Sequence, residues 1–239
     1  MKRPIFHHVT LSSALAASSG ILGTPVSHAQ PALEEITVTA QKREENIREV
    51  PLSITRMTGE RLTARFTGGE DILALAPAAP GLHVESSNGR LAPRFYMRGL
   101  GNADFTGAAS QPVSIVFDNV PMEKAALKSF PLFDMDNVQV LRGPQGTLFG
   151  RNTTAGIIKV DTRRPTDEME GYFKASAGNM GTLNGEGAIG GSIIDDTLSG
   201  RVSFLRQNRD NWVDNGFTGQ NDALGGFDVF AGRVQLDAR

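Results

Sequence analysis

The sequence predicts a mixed α+β domain followed by antiparallel strands of the kind that line a membrane barrel. Three observations predict it. A basic-then-apolar leader opens the chain, proline stops at Pro165, and apolar residues thereafter recur at every second position.

Lys2 and Arg3 form a basic start, a modestly apolar stretch runs from Val9 to Leu22, and Ser27-His28-Ala29 places small residues three and one positions before Gln30. That order is a secretory signal over residues 1–29, with cleavage before Gln30. The apolar stretch is roughly 14 residues, too short for a spanning helix, which needs about 20. The chain is predicted to be exported and to have no helical anchor.

Ten of the twelve prolines lie between Pro31 and Pro165. Within that region Pro51 to Met57 reads as a strand, and Thr58 is placed to cap a short helix through Phe66. Glu70 and Asp71 favour the positive end of a second helix, Ile72 to Ala76, which Pro77 is expected to stop. Further strands are predicted at Leu82–Glu85, Arg94–Arg98, Val113–Phe117, Val138–Arg142 and Ile157–Asp161, with polar loops at Ser86–Arg90 and Gly101–Ser110 between them.

No proline follows Pro165, and proline is excluded from the middle of sheets. Phe173, Ala175 and Ala177 share one face opposite Lys174 and Ser176. Leu183, Gly185, Gly187, Ile189, Gly191 and Ile193 oppose a set beginning Thr182, Asn184, Glu186. Leu198, Gly200, Val202 and Phe204 oppose Ser199, Arg201 and Ser203, with Leu205 breaking the pattern; Phe230, Val234, Leu236 and Ala238 oppose Arg233, Gln235 and Asp237. The connections alternate in kind: Gly178 to Gly181, then Asp195-Asp196, then a long polar run from Asn208 to Gly226 containing Trp212. Segments of about ten residues joined this way suit barrel strands, and a soluble β-meander would share the alternation.

Composition narrows the chemistry. The chain has 239 residues, Lys+Arg 24 against Asp+Glu 26, no cysteine and four histidines. Three of these (His7, His8, His28) belong to the leader, leaving His83. Thiol nucleophiles, disulfides, thiolate metal sites and paired-imidazole sites are excluded, and the slightly acidic balance argues against nucleic acid. Gly185-Glu186-Gly187-Ala188-Ile189-Gly190 fits a dinucleotide fingerprint but lies inside a strand-like alternation with no helix after it. The loop Gly143 to Gly150 lacks the Lys-Ser/Thr ending of a phosphate loop, and Asp134/Asp136 lack the later calcium ligands. The adjacent carboxylates Glu34/Glu35, Glu44/Glu45 and Asp195/Asp196 read as solvated charges, and His83 as structural. Neither an enzyme nor a resident cofactor or metal is predicted.

Three stretches then carry a specific resemblance. Glu34 to Asn46 (EEITVTAQKREEN) resembles the TonB box and linker of outer-membrane TonB-dependent receptors. Pro80-Gly81-Leu82 followed by Arg98-Gly99-Leu100-Gly101 is similar to the middle of that family's plug domain. Val138 to Asn152 (VQVLRGPQGTLFGRN) is similar to the plug's most recognisable stretch, and Phe117 to Pro121 to a further plug strand, with Asn119 where glycine is more usual. The resemblance covers residues 34 to about 165 in the family's order.

It implies an α+β plug domain followed by the first antiparallel strands of a transmembrane β-barrel, incomplete in this chain. The implied organisation is a signal peptide (1–29), TonB box and linker (30–50), plug (51–165) and first barrel strands (166–239). A barrel of about 22 strands needs well over 200 residues, so the chain is expected to be part of a longer receptor. The implied function is uptake of a ferric siderophore or similar iron chelate across a Gram-negative outer membrane, with the plug facing the barrel lumen and periplasm. TonB and its inner-membrane energising complex would drive it. Glu35, Ile36, Thr37, Val38, Thr39 and Ala40 would form the TonB box, a solvated segment ready to add itself to a partner's sheet edge. Ser87, Asn88, Arg90, Asn102, Asp104 and Phe105, on loops at the plug apex, would contact ligand. Arg98, Gly99, Arg142, Gly143, Pro144, Gly146 and Gly150 carry the plug motifs. Outer-membrane lipid would be a further partner. The alternatives are a free-standing plug protein that binds ligand or TonB without transport, a receptor for cobalamin or a saccharide, and a secreted enzyme, which the lone mature histidine disfavours.

Overall fold

A computed structural model describes residues 36–238, apart from Asn88, Phe105, Gly107 and Ala108. The leader and Glu35 lie outside the described residues. Two short strands, β1 (Thr37–Val38) and β2 (Glu45–Asn46), pair antiparallel at the start. β3 (Ser53–Thr58) follows and leads into α1 (Gly59–Phe66). Thr58 is extended at the N-cap position, but its hydroxyl makes no capping bond. The next helix is 3₁₀, spanning Ile72–Ala78, and Pro77 lies inside it rather than ending it. The i→i+3 pattern of so short a helix tolerates a proline that an α-helix interior would not. Its cap is Asp71, whose Oδ1 accepts the Leu73 N–H at 2.8 Å.

Strands β4 (Leu82–Glu85) and β5 (Arg94–Met97) form a separate antiparallel pair. Then come β6 (Val113–Phe117), β7 (Val120–Met122), a 3₁₀ turn at Ala125–Lys128, β8 (Met135–Arg142), the short α2 (Gly146–Phe149) and β9 (Gly156–Thr162). The central sheet has the order β3-β8-β9-β6-β7, antiparallel except for β6 beside β9. Its two faces differ because strand side chains alternate. Val113, Ile115, Val138, Val140, Ile158 and Val160 pack under α1 and the 3₁₀ helix with Leu62, Phe66, Ile72 and Leu75. The reverse face combines Val116, Leu141 and Ile157 with buried Ser114, Gln139 and Lys159.

Strands β10 (Glu170–Ala177), β11 (Leu183–Ile194) and β12 (Leu198–Arg209) form a meander. A hairpin of β13 (Val213–Asn215) and β14 (Gln220–Leu224) then stands in the long connection, and β15 (Phe227–Ala238) pairs with β12 over its whole length. This sheet is inverted relative to a soluble one. Phe173, Ile189, Val202, Phe230, Val234 and Leu236 are each half or more exposed on one face, while Asn184, Ser199, Arg201, Ser203 and Gln207 are buried against the first domain. Leu205 obeys a local demand: it faces inward onto a cavity of ≈ 210 Å³ shared with Leu62, Phe66 and Leu132. The glycines of the dinucleotide-like string lie within β11, with no helix after them.

Candidate functional site

The strand connections orient the molecule. Barrel strands are joined by short turns on the inner side and long loops on the outer side. Residues 195–197 therefore mark the inner end of the sheet, and residues 210–226 the outer end.

The segment from Ile36 to Ala40 is docked rather than solvated. Val38 and Ala40 are buried with Val50, Val116, Leu141, Phe149 and Ile157. Thr39 lies over the polar half of the same face. Its Oγ1 accepts from Lys159 Nζ at 3.0 Å and from Gln139 Nε2 at 3.1 Å, and faces Asp161 Oδ2 at 3.4 Å. Lys159 is itself paired with Asp161. Ile36 is half exposed, and its carbonyl accepts the Ile47 N–H at 2.9 Å. Thr37 pairs with Asn46 across β2. The flanking charges cannot keep the segment solvated, because its two apolar side chains and its hydroxyl each meet a matching patch. Glu35 lies outside the described residues.

The polar side chains of the outer loops bond within or beside their own loops. Ser87 Oγ accepts from Arg94 Nη2 at 2.8 Å. Asn102 donates to the Ser110 carbonyl at 2.8 Å and accepts the Asp104 N–H at 2.9 Å; Asp104 in turn accepts the Thr106 N–H at 2.9 Å. That backbone bond holds the Asp104 carboxyl below the usual carboxylate range. Arg90 donates to the Gly69 carbonyl, lies 3.8 Å from Asp71, and stacks 3.6 Å above the Phe227 ring of β15. Burial lowers its pKa even with Asp71 and Glu70 nearby. The side chains expected to reach a ligand thus shape their own loops and, at Arg90, tie one loop to the wall. Asn88 and Phe105 lie outside the described residues.

The plug-motif residues build the scaffold between the two ends. Arg142 on β8 donates to Ser53 Oγ at 2.9 Å, Thr55 Oγ1 at 2.8 Å and the Pro80 carbonyl at 3.2 Å. Burial first, and the Arg98 guanidinium second, lower its pKa. Arg98 is fastened by its own N–H to the Gly81 carbonyl at 2.9 Å and precedes Gly99. Gly143 (φ 113°) and Gly150 (φ 79°) lie in backbone regions that favour glycine, and between them Pro144 and Gly146 lead into α2. The backbone closes this loop through Gly143 N–H to the Ala155 carbonyl and Gln145 N–H to the Thr153 carbonyl.

Sequence reasoning missed Gln139, Lys159 and Asp161, the receptors of Thr39. The available signal was polar residues alternating with valine and isoleucine inside two predicted strands. It also missed Asp134, whose partners lie far along the chain. His83 is exposed, 4.0 Å from Glu85, and no group of three or more metal-ligating side chains occurs among the described residues.

An α+β domain seated against a sheet whose apolar face points outward defines the plug-and-barrel class of outer-membrane proteins. Residues 46–157 match the TonB-dependent receptor plug domain. Over 230 residues the chain is 30% identical to the pesticin receptor of Yersinia pestis, covering 92% of this chain and 32% of that protein. It is also 30% identical over 176 residues to the vitamin B12 transporter BtuB of Vibrio vulnificus, covering 70% of this chain and 27% of that one. The crystal structure of the ferric yersiniabactin uptake receptor FyuA from Yersinia pestis superposes with a TM-score of 0.70 at 31% identity, over 77% of this chain and 28% of that one. The chain belongs to the TonB-dependent outer-membrane receptors, whose members are receptors and transporters rather than enzymes. It spans between about a quarter and a third of the length of these relatives.

Proposed function

We propose that the chain forms the plug and first wall strands of a receptor that takes up a ferric siderophore or similar iron chelate, energised by TonB through the segment Glu35–Ala40. The observation that carries this reading is the placement of two contact regions at opposite ends of one domain. Arg90 meets the wall at Phe227 and Thr162 meets it at Gln235, eight residues on along β15 and so about 27 Å away. Thr39 lies beside Asp161, next to the Thr162 end. A ligand engaged by the outer loops and a partner engaging the N-terminal segment would therefore address the same sheet from opposite sides. The likeness to the ferric yersiniabactin uptake receptor supports an iron chelate as cargo.

The likeness to the vitamin B12 transporter favours cobalamin as the second reading. Accumulation of labelled ferric chelates and of labelled cobalamin, in receptor-deficient cells carrying the complete gene, separates the two. Chelate uptake that requires TonB supports the first reading. Uptake of cobalamin alone supports the second, and surface binding without accumulation of either supports a plug protein that does not transport.

A further inference from the structure

Asp134 precedes β8 with a left-handed backbone (φ 50°), and its carboxylate is fully buried. Arg201 of β12 grips it with two bonds, Nη2 to Oδ1 at 2.7 Å and Nε to Oδ2 at 2.8 Å, and that guanidinium is only 1% exposed. Arg233 of β15 lies 3.3 Å from Oδ2 and also donates to the carbonyls of Phe133 and Asp134. Glu186 of β11 accepts the Asp134 N–H at 3.0 Å, and Glu170 of β10 accepts from Arg201 at 3.0 Å. Each of the four wall strands thus contributes a side chain to the surroundings of this one residue.

We propose that Asp134 is the fixed anchor of the plug, staying seated between Arg201 and Arg233 while the passage opens elsewhere in the domain. The proposal rests on the transport reading above. Withdrawing Asp134 would take both bidentate bonds from Arg201, leaving it Glu170 alone, and would take from Arg233 its carboxylate and both carbonyls, a costly separation of buried charge. Other contacts between plug and wall are of a different kind. Lys174 reaches Thr63 at 3.3 Å, Ser176 and Asn184 reach the Thr67 carbonyl at 2.9 and 3.1 Å, and Arg209 reaches the Gly68 carbonyl at 3.0 Å. These are single bonds, three of them exposed, for which water can substitute. Burial alone would raise the pKa of the Asp134 carboxyl, but the arginines reverse this and keep it ionised.

The anchor can be tested by holding it shut. This chain has no cysteine, and Gln235 Nε2 donates to Thr162 Oγ1 at 2.9 Å on the wall contact next to the anchor. In the complete receptor, Thr162→Cys with Gln235→Cys is bridged by a short bifunctional methanethiosulfonate, the bridge being verified by intact mass. Energised chelate accumulation within twofold of the unbridged protein is expected. A tenfold or greater fall, reversed by reductant, overturns the proposal. A second measurement needs neither ligand nor TonB: entry of vancomycin, which a sealed receptor excludes. Asp134→Asn should raise it at least tenfold, and adding Arg201→Gln should lower it again by removing the uncompensated charge. Normal sealing by Asp134→Asn at normal surface abundance overturns the proposal, as does a double variant no tighter than the single one. If Asp134→Asn fails to insert, the bridged protein still decides. A wild-type receptor that accumulates no chelate defeats the transport reading, while the vancomycin comparison continues to test the anchor.

Discussion

Replacing Thr39 by valine isolates one oxygen. Valine keeps the branched shape and the volume, so the burial of Val38 and Ala40 on either side is retained. What disappears is the acceptor for Lys159 Nζ and Gln139 Nε2. Neither donor is fully orphaned, since Lys159 keeps Asp161 and Gln139 keeps Asn137 Oδ1 at 2.8 Å. The loss should therefore fall in the lower part of the range for hydrogen bonds to charged groups, about 2 kcal/mol. At about 1.4 kcal/mol per tenfold, the ratio of docked to released segment drops about thirtyfold. A segment released about one time in a hundred would then be released about a quarter of the time. A spin label on Ile36→Cys, at a half-exposed position in a cysteine-free chain, reads this as a growing mobile fraction in membranes lacking TonB. Thr39→Ser keeps the hydroxyl and should stay near wild type. Equal mobile fractions for the valine and serine variants would refute the idea that this oxygen holds the segment.

Three further outcomes are expected. Val38→Pro removes a backbone donor and fixes φ, so accumulation should be lost while surface binding of labelled ligand persists; Val38→Thr keeps the backbone and should retain uptake while loosening the docking against Val116, Leu141 and Ile157. Normal accumulation by the proline variant would contradict the assigned box. Lys128 is buried with its Nζ on the Val113 carbonyl at 2.7 Å, and burial lowers its pKa from 10.5 to about 8. The unfolded chain then holds the extra proton between those values, so stability attributable to this group should rise from pH 8 to 10.5, by about 3 kcal/mol at most. Melting of the wild type against Lys128→Met across that window checks the sign, which a constant difference would reject. Finally, if Arg90 acts by holding its loop to the wall, Phe227→Leu should weaken ligand affinity about as much as Arg90→Ala; an effect confined to Arg90→Ala would mean direct contact with ligand.

The elements whose signal is local were legible. Period-two alternation placed the four wall strands after Pro165 and their outward faces, because lipid and lumen impose opposite demands on neighbouring residues. The sequence predicts a helix that Pro77 stops at Ala76, whereas the 3₁₀ helix runs Ile72–Ala78, because proline is a stop signal only where i→i−4 bonding is required. The β13–β14 hairpin was hidden in a polar run, since its Asn215 turn is built from side-chain bonds to Phe217 and Thr218. Asp134 was misdirected by its neighbour. Asp134-x-Asp136 invites comparison with a metal loop, and only the fold shows that its counter-charges are arginines 67 and 99 positions away. The Thr39 receptors were missed because Gln139 and Lys159 lie in strands that look fully buried, where a polar residue signals a partner without naming it.

The docked segment also changes what strand addition must achieve. A free, extended β-branched segment would cost its partner only the ordering of a short chain. Here a partner must first undo the burial of Val38, worth about 1.5–3 kcal/mol, and the bonds to Thr39. The apparent affinity falls by the fraction of time the segment is released. On the proposed coupling, Lys159, Asp161 and Gln139, which hold Thr39 in place, would set how readily a partner engages. They lie on β8 and β9, and β8 also carries Arg142, which reaches Pro80 and so the strand pair β4–β5 beneath the outer loops. A displacement of that pair has a continuous bonded route to the docking face. Weakening the Thr39 contacts should raise partner affinity in the absence of ligand and shrink any increase that ligand produces, and pull-down of the receptor with the TonB C-terminal domain, with and without chelate, measures both.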